Sequence, residues 1–155
     1  MKTQEIELSK VDKILANYKG QEDVLFPMLL EVQAEFGWVP PQAIEAIADT
    51  LKVFASQVYS VATFCHFLST KPQGRNVIRI CKSLPCFLRD SEMIIKSVEQ
   101  ELGITLGQTT GDGRFSFELT NCIGACDRAP AMLINDDVHG DLTTEKISRI
   151  LKSYK

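Results

Sequence analysis

The sequence lacks the features that would assign it to several common functional classes. No apolar run approaches the roughly 18 residues of a membrane span, so we expect no direct membrane insertion. The amino-terminal residues contain no apolar core of a signal peptide, and this favours a cytoplasmic protein. A net charge of −3 with no basic run argues against nucleic-acid partners. The sequence also has no glycine-rich phosphate loop, so nucleotides and flavins are expected to bind elsewhere.

Histidine is scarce as well. His66 and His139 are the only two in the sequence, and neither has a recognisable partner for acid–base catalysis. We therefore expect no catalytic residue and no complete active site in this chain alone.

Cysteine, by contrast, is concentrated in two pairs. Cys81 and Cys86 have four residues between them, and Cys122 and Cys126 have three. An odd cysteine count without a signal peptide favours metal binding over disulfides. Four thiolates suit either structural zinc or an iron–sulfur cluster. Because loops this wide fit two bridged irons, one iron per loop, the spacing favours one [2Fe–2S] cluster. A zinc-stapled interaction module is the alternative.

The residues around the pairs suit an anionic cluster. Gly124 lets backbone N–H groups approach sulfur without a Cβ in the way. Three cations flank the ligands and either moderate the negative charge or are ordinary surface residues: Lys82, Arg89 and Arg128. The fifth cysteine, Cys65, falls on an apolar helix face and is interpreted as a small hydrophobic residue, not a ligand.

Residues 1–72 are predicted to form a small helical bundle. Apolar residues recur at helical spacing in four stretches, at 11–18, 24–36, 44–51 and 58–68. We expect the second stripe to begin at a cap on Asp23 and the fourth at a cap on Ser56, with Phe64 facing inward. A bundle this small buries limited apolar area, so we expect it to lean on a partner. Trp38 is a candidate contact or, alternatively, a half-buried loop residue.

Residues 73–155 are predicted to form a second domain with the order β-α-β-β-α. A strand at 76–80 leads to Cys81, and a helix follows from residue 90 or 91. A strand at 114–119 alternates, which predicts one buried face, and leads to Cys122. A hairpin covers 131–140, and Thr143 caps the last helix. Because both cysteine loops follow strands, both are expected at one end of the sheet.

Several stretches carry a family resemblance. Residues 121–130 (NCIGACDRAP) and 131–137 (AMLINDD), with 59–64 (YSVATF) and 35–40 (EFGWVP), closely resemble the thioredoxin-like [2Fe–2S] ferredoxins. More narrowly, they resemble the small subunits of NADH dehydrogenases, NAD(P)-reducing or electron-bifurcating hydrogenases and NAD-linked formate dehydrogenases. The resemblance implies an α+β chain, in which a helical bundle precedes a thioredoxin-like α/β ferredoxin domain. It also implies one [2Fe–2S] cluster on Cys81, Cys86, Cys122 and Cys126.

The resemblance further implies a one-electron carrier within an NAD(P)H-dependent oxidoreductase complex. FMN and NAD(P) are expected on a partner subunit, and further iron–sulfur subunits are expected beside it. Residues 1–72 would dock to the flavin subunit. A stand-alone ferredoxin is the alternative, although it leaves the helical bundle without a purpose. Overall likeness favours a bifurcating or NAD-reducing hydrogenase over a respiratory NADH dehydrogenase or a formate dehydrogenase.

Overall fold

A computed structural model of the chain describes residues 7–154. The chain divides into two compact units at the Pro72–Gln73 bond. In the part described, no helix has the length and apolar character needed to cross a membrane.

The first unit is helical. Its described part contains α1 (Leu8–Ala16), α2 (Leu25–Phe36), α3 (Pro41–Leu51) and α4 (Ala55–Phe64). Gly37 ends α2 in the left-handed conformation, with φ of 78°. Pro41 opens α3, where the missing N–H has no intrahelical partner to lose. The inward faces form one apolar core, whose largest fully buried side chains are Val11, Met28, Leu29, Val32, Val39 and Ile47.

Three details of the predicted bundle are wrong. Asp23 does not cap α2, because the helix begins at Leu25 and Val24 occupies the capping position. Ser56 lies inside α4, where its carbonyl accepts a hydrogen bond from the Ser60 hydroxyl. Phe64 is 87% exposed instead of inward-facing, because it is the last residue of α4.

The second unit combines a sheet with helices. Within residues 73–154 the elements are β1 (Asn76–Cys81), α5 (Leu84–Phe87), α6 (Ser91–Leu102), β2 (Phe115–Thr120), β3 (Met132–Ile134), β4 (Asp137–His139) and α7 (Thr144–Ser153). The strand order is β2-β1-β3-β4. The β1–β2 pair is parallel, and the β1–β3 and β3–β4 pairs are antiparallel. The predicted order β-α-β-β-α is confirmed, with the short helix α5 as an unpredicted addition.

The core of this unit lies between the sheet and the helices α6 and α7. It includes Ile78, Ile80, Ile94, Val98, Phe117, Met132, Ile134, Ile147 and Leu151. The predicted single buried face of β2 is wrong, because Ser116 is also buried. Its hydroxyl accepts the Gly74 N–H at 2.7 Å and hydrogen-bonds with the Thr109 hydroxyl at 2.7 Å. Neighbouring loop segments therefore cover the polar face of the strand.

Candidate metal centre

The two cysteine loops leave the same edge of the sheet. The β1 and β2 strands run in parallel, and Cys81 at the end of β1 pairs in register with Thr120 at the end of β2. The Lys82 N–H donates to the Thr120 carbonyl at 2.9 Å, and the Cys81 N–H donates to the Ala131 carbonyl at 3.2 Å. The predicted meeting of both loops at one end of the sheet is confirmed.

The first cysteine pair is buried. Cys81 ends β1, and Cys86 lies in α5, where its N–H donates to the Ser83 carbonyl at 3.0 Å. Each cysteine is only 1% exposed, and both pack in a small cluster with Ala129 and Ala131. This packing excludes water from the inner side of the site.

The second cysteine pair is exposed to solvent. The Sγ atoms of Cys122 and Cys126 lie 3.3 Å apart. Gly124 adopts φ of 84°, and its N–H donates to Cys122 Sγ at 3.4 Å. Between and beside these residues, Ile123 and Ala125 pack against the cluster that contains the buried pair. The second loop therefore covers the first.

The four thiols influence one another electrostatically. Burial raises the pKa of Cys86 to about 11, with further contributions from the thiols of Cys81 and Cys126. The Gly124 N–H, followed by the Cys126 thiol, lowers the pKa of Cys122, and the Cys81 thiol acts in the same direction. The pKa of Cys126 is raised because it shares a proton with Cys122. Cys122 is therefore the first thiolate to form, whereas Cys86 gives up its proton when a metal replaces it.

The flanking cations are not equivalent in the structure. Lys82 and Arg89 are exposed. Arg128, in contrast, is held by Asp141, with 3.4 Å between Nε and Oδ2. One of the three predicted cations thus has a fixed place beside the second cysteine loop.

The remaining candidate residues lie outside the cysteine site. Cys65 is half-buried against the core of the first unit, as its interpretation as a small hydrophobic residue requires. His66 is exposed. His139 hydrogen-bonds with the Tyr154 hydroxyl at 2.8 Å.

Sequence reasoning missed two features of the site. One is α5, which a signal could have revealed, since Pro85 falls in the first turn after Ser83. The other is the contact of Gly140 and Asp141 with Arg128. No local pattern marks that contact, because it depends on how β4 meets the second cysteine loop.

The donor set fits an iron–sulfur cluster. Such clusters are held by thiolates, and hydrogen bonds to sulfur help to set their potential. Four cysteine thiols converge here, and a backbone N–H already points at one of them. Among residues 7–154, no three His, Cys, Asp or Glu side chains surround a position for a single metal ion.

Comparison with known proteins identifies the family. Residues 11–155 match the model of the family described as thioredoxin-like [2Fe-2S] ferredoxin. This chain belongs to that family. The fold class predicted from the resemblance, a helical segment followed by a thioredoxin-like ferredoxin fold, is confirmed.

Curated relatives cover nearly the whole chain. A subunit of the NADH-quinone oxidoreductase of Pseudomonas aeruginosa is 39% identical over 150 residues, which are 97% of this chain and 90% of the relative. The subunit of the same name in Escherichia coli K12 is 41% identical over 149 residues, which are 96% of this chain and 90% of the relative.

A solved structure shares the fold. The chain is similar to part of an NAD⁺-reducing [NiFe]-hydrogenase in the H₂-reduced state, with a TM-score of 0.70 and 22% identity. The match covers 84% of this chain and 22% of the hydrogenase chain. At this identity the likeness shows the fold alone.

Proposed function

We propose that this chain is the one-electron carrier subunit of an NAD(P)H-oxidoreducing complex. The observation that carries the proposal is the convergence of four cysteine thiols at one sheet edge, in a chain of the [2Fe–2S] ferredoxin family. The cluster, when bound, supplies one-electron redox chemistry. The chain itself holds and shields the group, and the reaction with NAD(P)H takes place on a partner.

Each cysteine loop has its own part in holding the cluster. In our proposal Cys81 and Cys86 bind one iron, and Cys122 and Cys126 bind the other. The buried first pair, packed against Ala129, faces the protein interior. The exposed second pair faces solvent, where an electron donor or acceptor approaches. The electron therefore enters and leaves on the side of the second loop.

The partner in this proposal binds the nucleotide and the flavin. It carries FMN and NAD(P), and further iron–sulfur subunits accompany it. The relatives at 39% and 41% identity are subunits of NADH-quinone oxidoreductase. Their identity supports a respiratory parent complex over the hydrogenase that overall likeness in the sequence favoured, because the hydrogenase similarity is one of fold.

The helical unit supplies a docking surface for the flavin subunit in this proposal. Phe54 and Phe64 are 79% and 87% exposed, although large apolar side chains usually avoid water. A groove of about 480 Å³ lies between α3 and α4, with Ile44, Ala55 and Tyr59 in its lining. Exposed aromatic side chains beside a groove are typical of protein–protein contact surfaces.

Metal analysis of the purified chain tests the cluster assignment. We expect the iron and sulfide content of one [2Fe–2S] cluster per chain, with visible absorption that bleaches on reduction. Cys122→Ala should abolish or grossly alter this cluster, whereas Cys65→Ala should leave its spectrum unchanged. Normal iron and sulfide in Cys122→Ala would refute the ligand assignment. A colourless protein that contains zinc would establish the interaction module instead.

Purification of the native complex tests the parent assignment. We expect the chain to co-purify with a flavoprotein in an assembly that reduces quinone with NADH. An assembly that instead reduces NAD⁺ with H₂ would restore the hydrogenase preference. A chain that purifies alone with its cluster would establish the stand-alone ferredoxin.

A further inference from the structure

The loop that follows the second cysteine pair is fastened to the connection between β4 and α7. The Asp141 N–H donates to the Arg128 carbonyl at 2.6 Å, and the Leu142 N–H donates to the Pro130 carbonyl at 3.1 Å. The Asp141 carboxylate also pairs with Arg128 Nε at 3.4 Å. The Lys146 ammonium on α7 in turn donates to the Asp141 carbonyl at 2.7 Å.

Gly140 allows these two segments to approach closely. A Cβ at Gly140 would lie 2.6 Å from Arg128 Cβ, 2.9 Å from the Arg128 carbonyl oxygen and 3.1 Å from Arg128 Nε. The nearest two of these atoms belong to the backbone or are bonded directly to it, so they cannot swing aside as the end of a flexible side chain can. Any side chain at position 140 must therefore displace the backbone at Arg128.

A displacement of Arg128 reaches a cysteine directly. Cys126 and Arg128 share one 3₁₀ turn (Cys126–Arg128). Within it the Arg128 N–H donates to the Ala125 carbonyl at 3.1 Å, and the Ala129 N–H donates to the Cys126 carbonyl at 3.4 Å. The turn moves as a unit because these bonds close it. Cys126 Sγ in turn lies 3.3 Å from Cys122 Sγ.

Position 140 itself has little freedom to adjust. The preceding residue, His139, pairs with Met132 in the β3–β4 ladder. The following segment enters α7, where Thr143 accepts the Lys146 N–H. The strand and the helix therefore fix the backbone on which Arg128 rests.

We propose that Gly140 and Asp141 are positioning residues for the iron–sulfur site, and that they set the place of Cys126 by seating Arg128. Gly140 provides the space, and Asp141 provides the backbone and carboxylate contacts. This inference rests on the proposed function, because it assumes that Cys126 is a ligand. Neither residue touches the cluster in this proposal.

A pair of glycine variants tests the spatial part. Gly140→Ala introduces the contact with Arg128, whereas Gly111→Ala is the matched control, because a Cβ there meets no heavy atom within 4 Å. We expect Gly140→Ala to change the EPR spectrum of the reduced chain and to speed cluster loss to a chelator about tenfold. Gly111→Ala should match the wild type in both. Wild-type EPR and chelation rates in a folded Gly140→Ala would overturn the proposal.

A second pair of variants decides the case if Gly140→Ala does not fold. Asp141→Asn keeps the backbone bond to Arg128 and removes the carboxylate charge, at a position with positive φ that Asn tolerates. Asp136→Asn, in the exposed β3–β4 turn, makes the same change in net charge. We expect faster cluster loss in Asp141→Asn than in Asp136→Asn. Equal rates would overturn the proposal. A wild-type chain without any cluster would overturn both this inference and the proposed function, whereas unchanged variants of a normal holoprotein would overturn this inference alone.

Discussion

Gly124 is the residue whose backbone most directly faces a proposed ligand. Its N–H donates to Cys122 Sγ at 3.4 Å, and its φ of 84° is one that other residues rarely adopt. A hydrogen bond to sulfur stabilises the extra negative charge of a reduced cluster and so raises its reduction potential. The short sequence of the loop thus influences the electron affinity of the site.

Replacement of Gly124 should therefore lower the reduction potential. We expect Gly124→Val to shift the midpoint to more negative values, by on the order of tens of millivolts, as it displaces the N–H from sulfur. The measurement is an EPR-monitored redox titration. Gly107→Val is the control, because Gly107 also has positive φ, at 80°, but donates to the Phe117 carbonyl instead of to sulfur. Equal shifts in both variants would mean that general strain, and not the hydrogen bond, sets the potential.

The cysteine residues show how far spacing alone can predict a site. Two close pairs predict the candidate ligands and their loops, because ligand spacing is local. Spacing does not predict that Cys81 and Cys86 are buried and that Cys122 and Cys126 are exposed. That difference depends on the packing of residues 129–131 against the first loop, which is a contact between distant parts of the sequence.

At the scale of elements, β4 and the end of α7 are joined by a chain of hydrogen bonds. The Tyr154 hydroxyl donates to Asp137 Oδ2 at 2.8 Å, so His139 Nε2 is the donor toward Tyr154. Burial lowers the pKa of His139, the Arg128 charge acts in the same direction, and the Asp137 carboxylate opposes both. The folded chain therefore favours the neutral imidazole.

This preference makes stability depend on pH with a defined sign. Below the ordinary pKa of 6.5 the unfolded chain takes up a proton more readily than the folded chain. Stability is therefore full above that pH and falls as the pH drops below it. We expect His139→Gln to lose less melting temperature than the wild type between about pH 7.5 and about pH 5.5. His66→Gln, at an exposed position, is the control, and a wild-type pH profile in His139→Gln would contradict this account.

Elements are predictable where signals are local and unpredictable where tertiary contacts decide. The sequence predicts Thr143 as the cap of α7, and its side chain does accept the Lys146 N–H. The alternation of β2 predicts a solvated face, but contacts from Gly74 and Thr109 bury Ser116. Phe64 follows the apolar stripe of α4, yet it is exposed because the helix ends there. Periodicity cannot reveal either outcome.

At the scale of the whole molecule, the two units have separate cores, and all four proposed ligands lie in the second. We therefore expect a chain without residues 1–72 to fold and to hold the cluster, but to bind the flavin subunit weakly. Cluster spectroscopy and a pull-down with the flavoprotein measure the two properties. Loss of the cluster would contradict the division at residue 72, and full affinity for the partner would contradict the docking role.

Surface variants of the full chain test the docking role without a truncation. Phe64→Ser should weaken binding to the flavoprotein by about tenfold, because it removes an exposed aromatic side chain from the proposed contact. Its cluster spectrum should remain that of the wild type. Leu106→Ser, at an exposed apolar position in the second unit, is the control and should bind normally. Equal affinities for both variants would place the contact elsewhere.

The most direct test of the central claim is reduction of the cluster by NADH in the assembled complex, followed by EPR. The account predicts a [2Fe–2S] signal from this chain when NADH is added to the wild-type complex. The Cys122→Ala complex should lose that signal, although its flavin is still reduced. An unchanged signal in Cys122→Ala, or a wild-type cluster that stays oxidised while the flavin is reduced, would contradict the account.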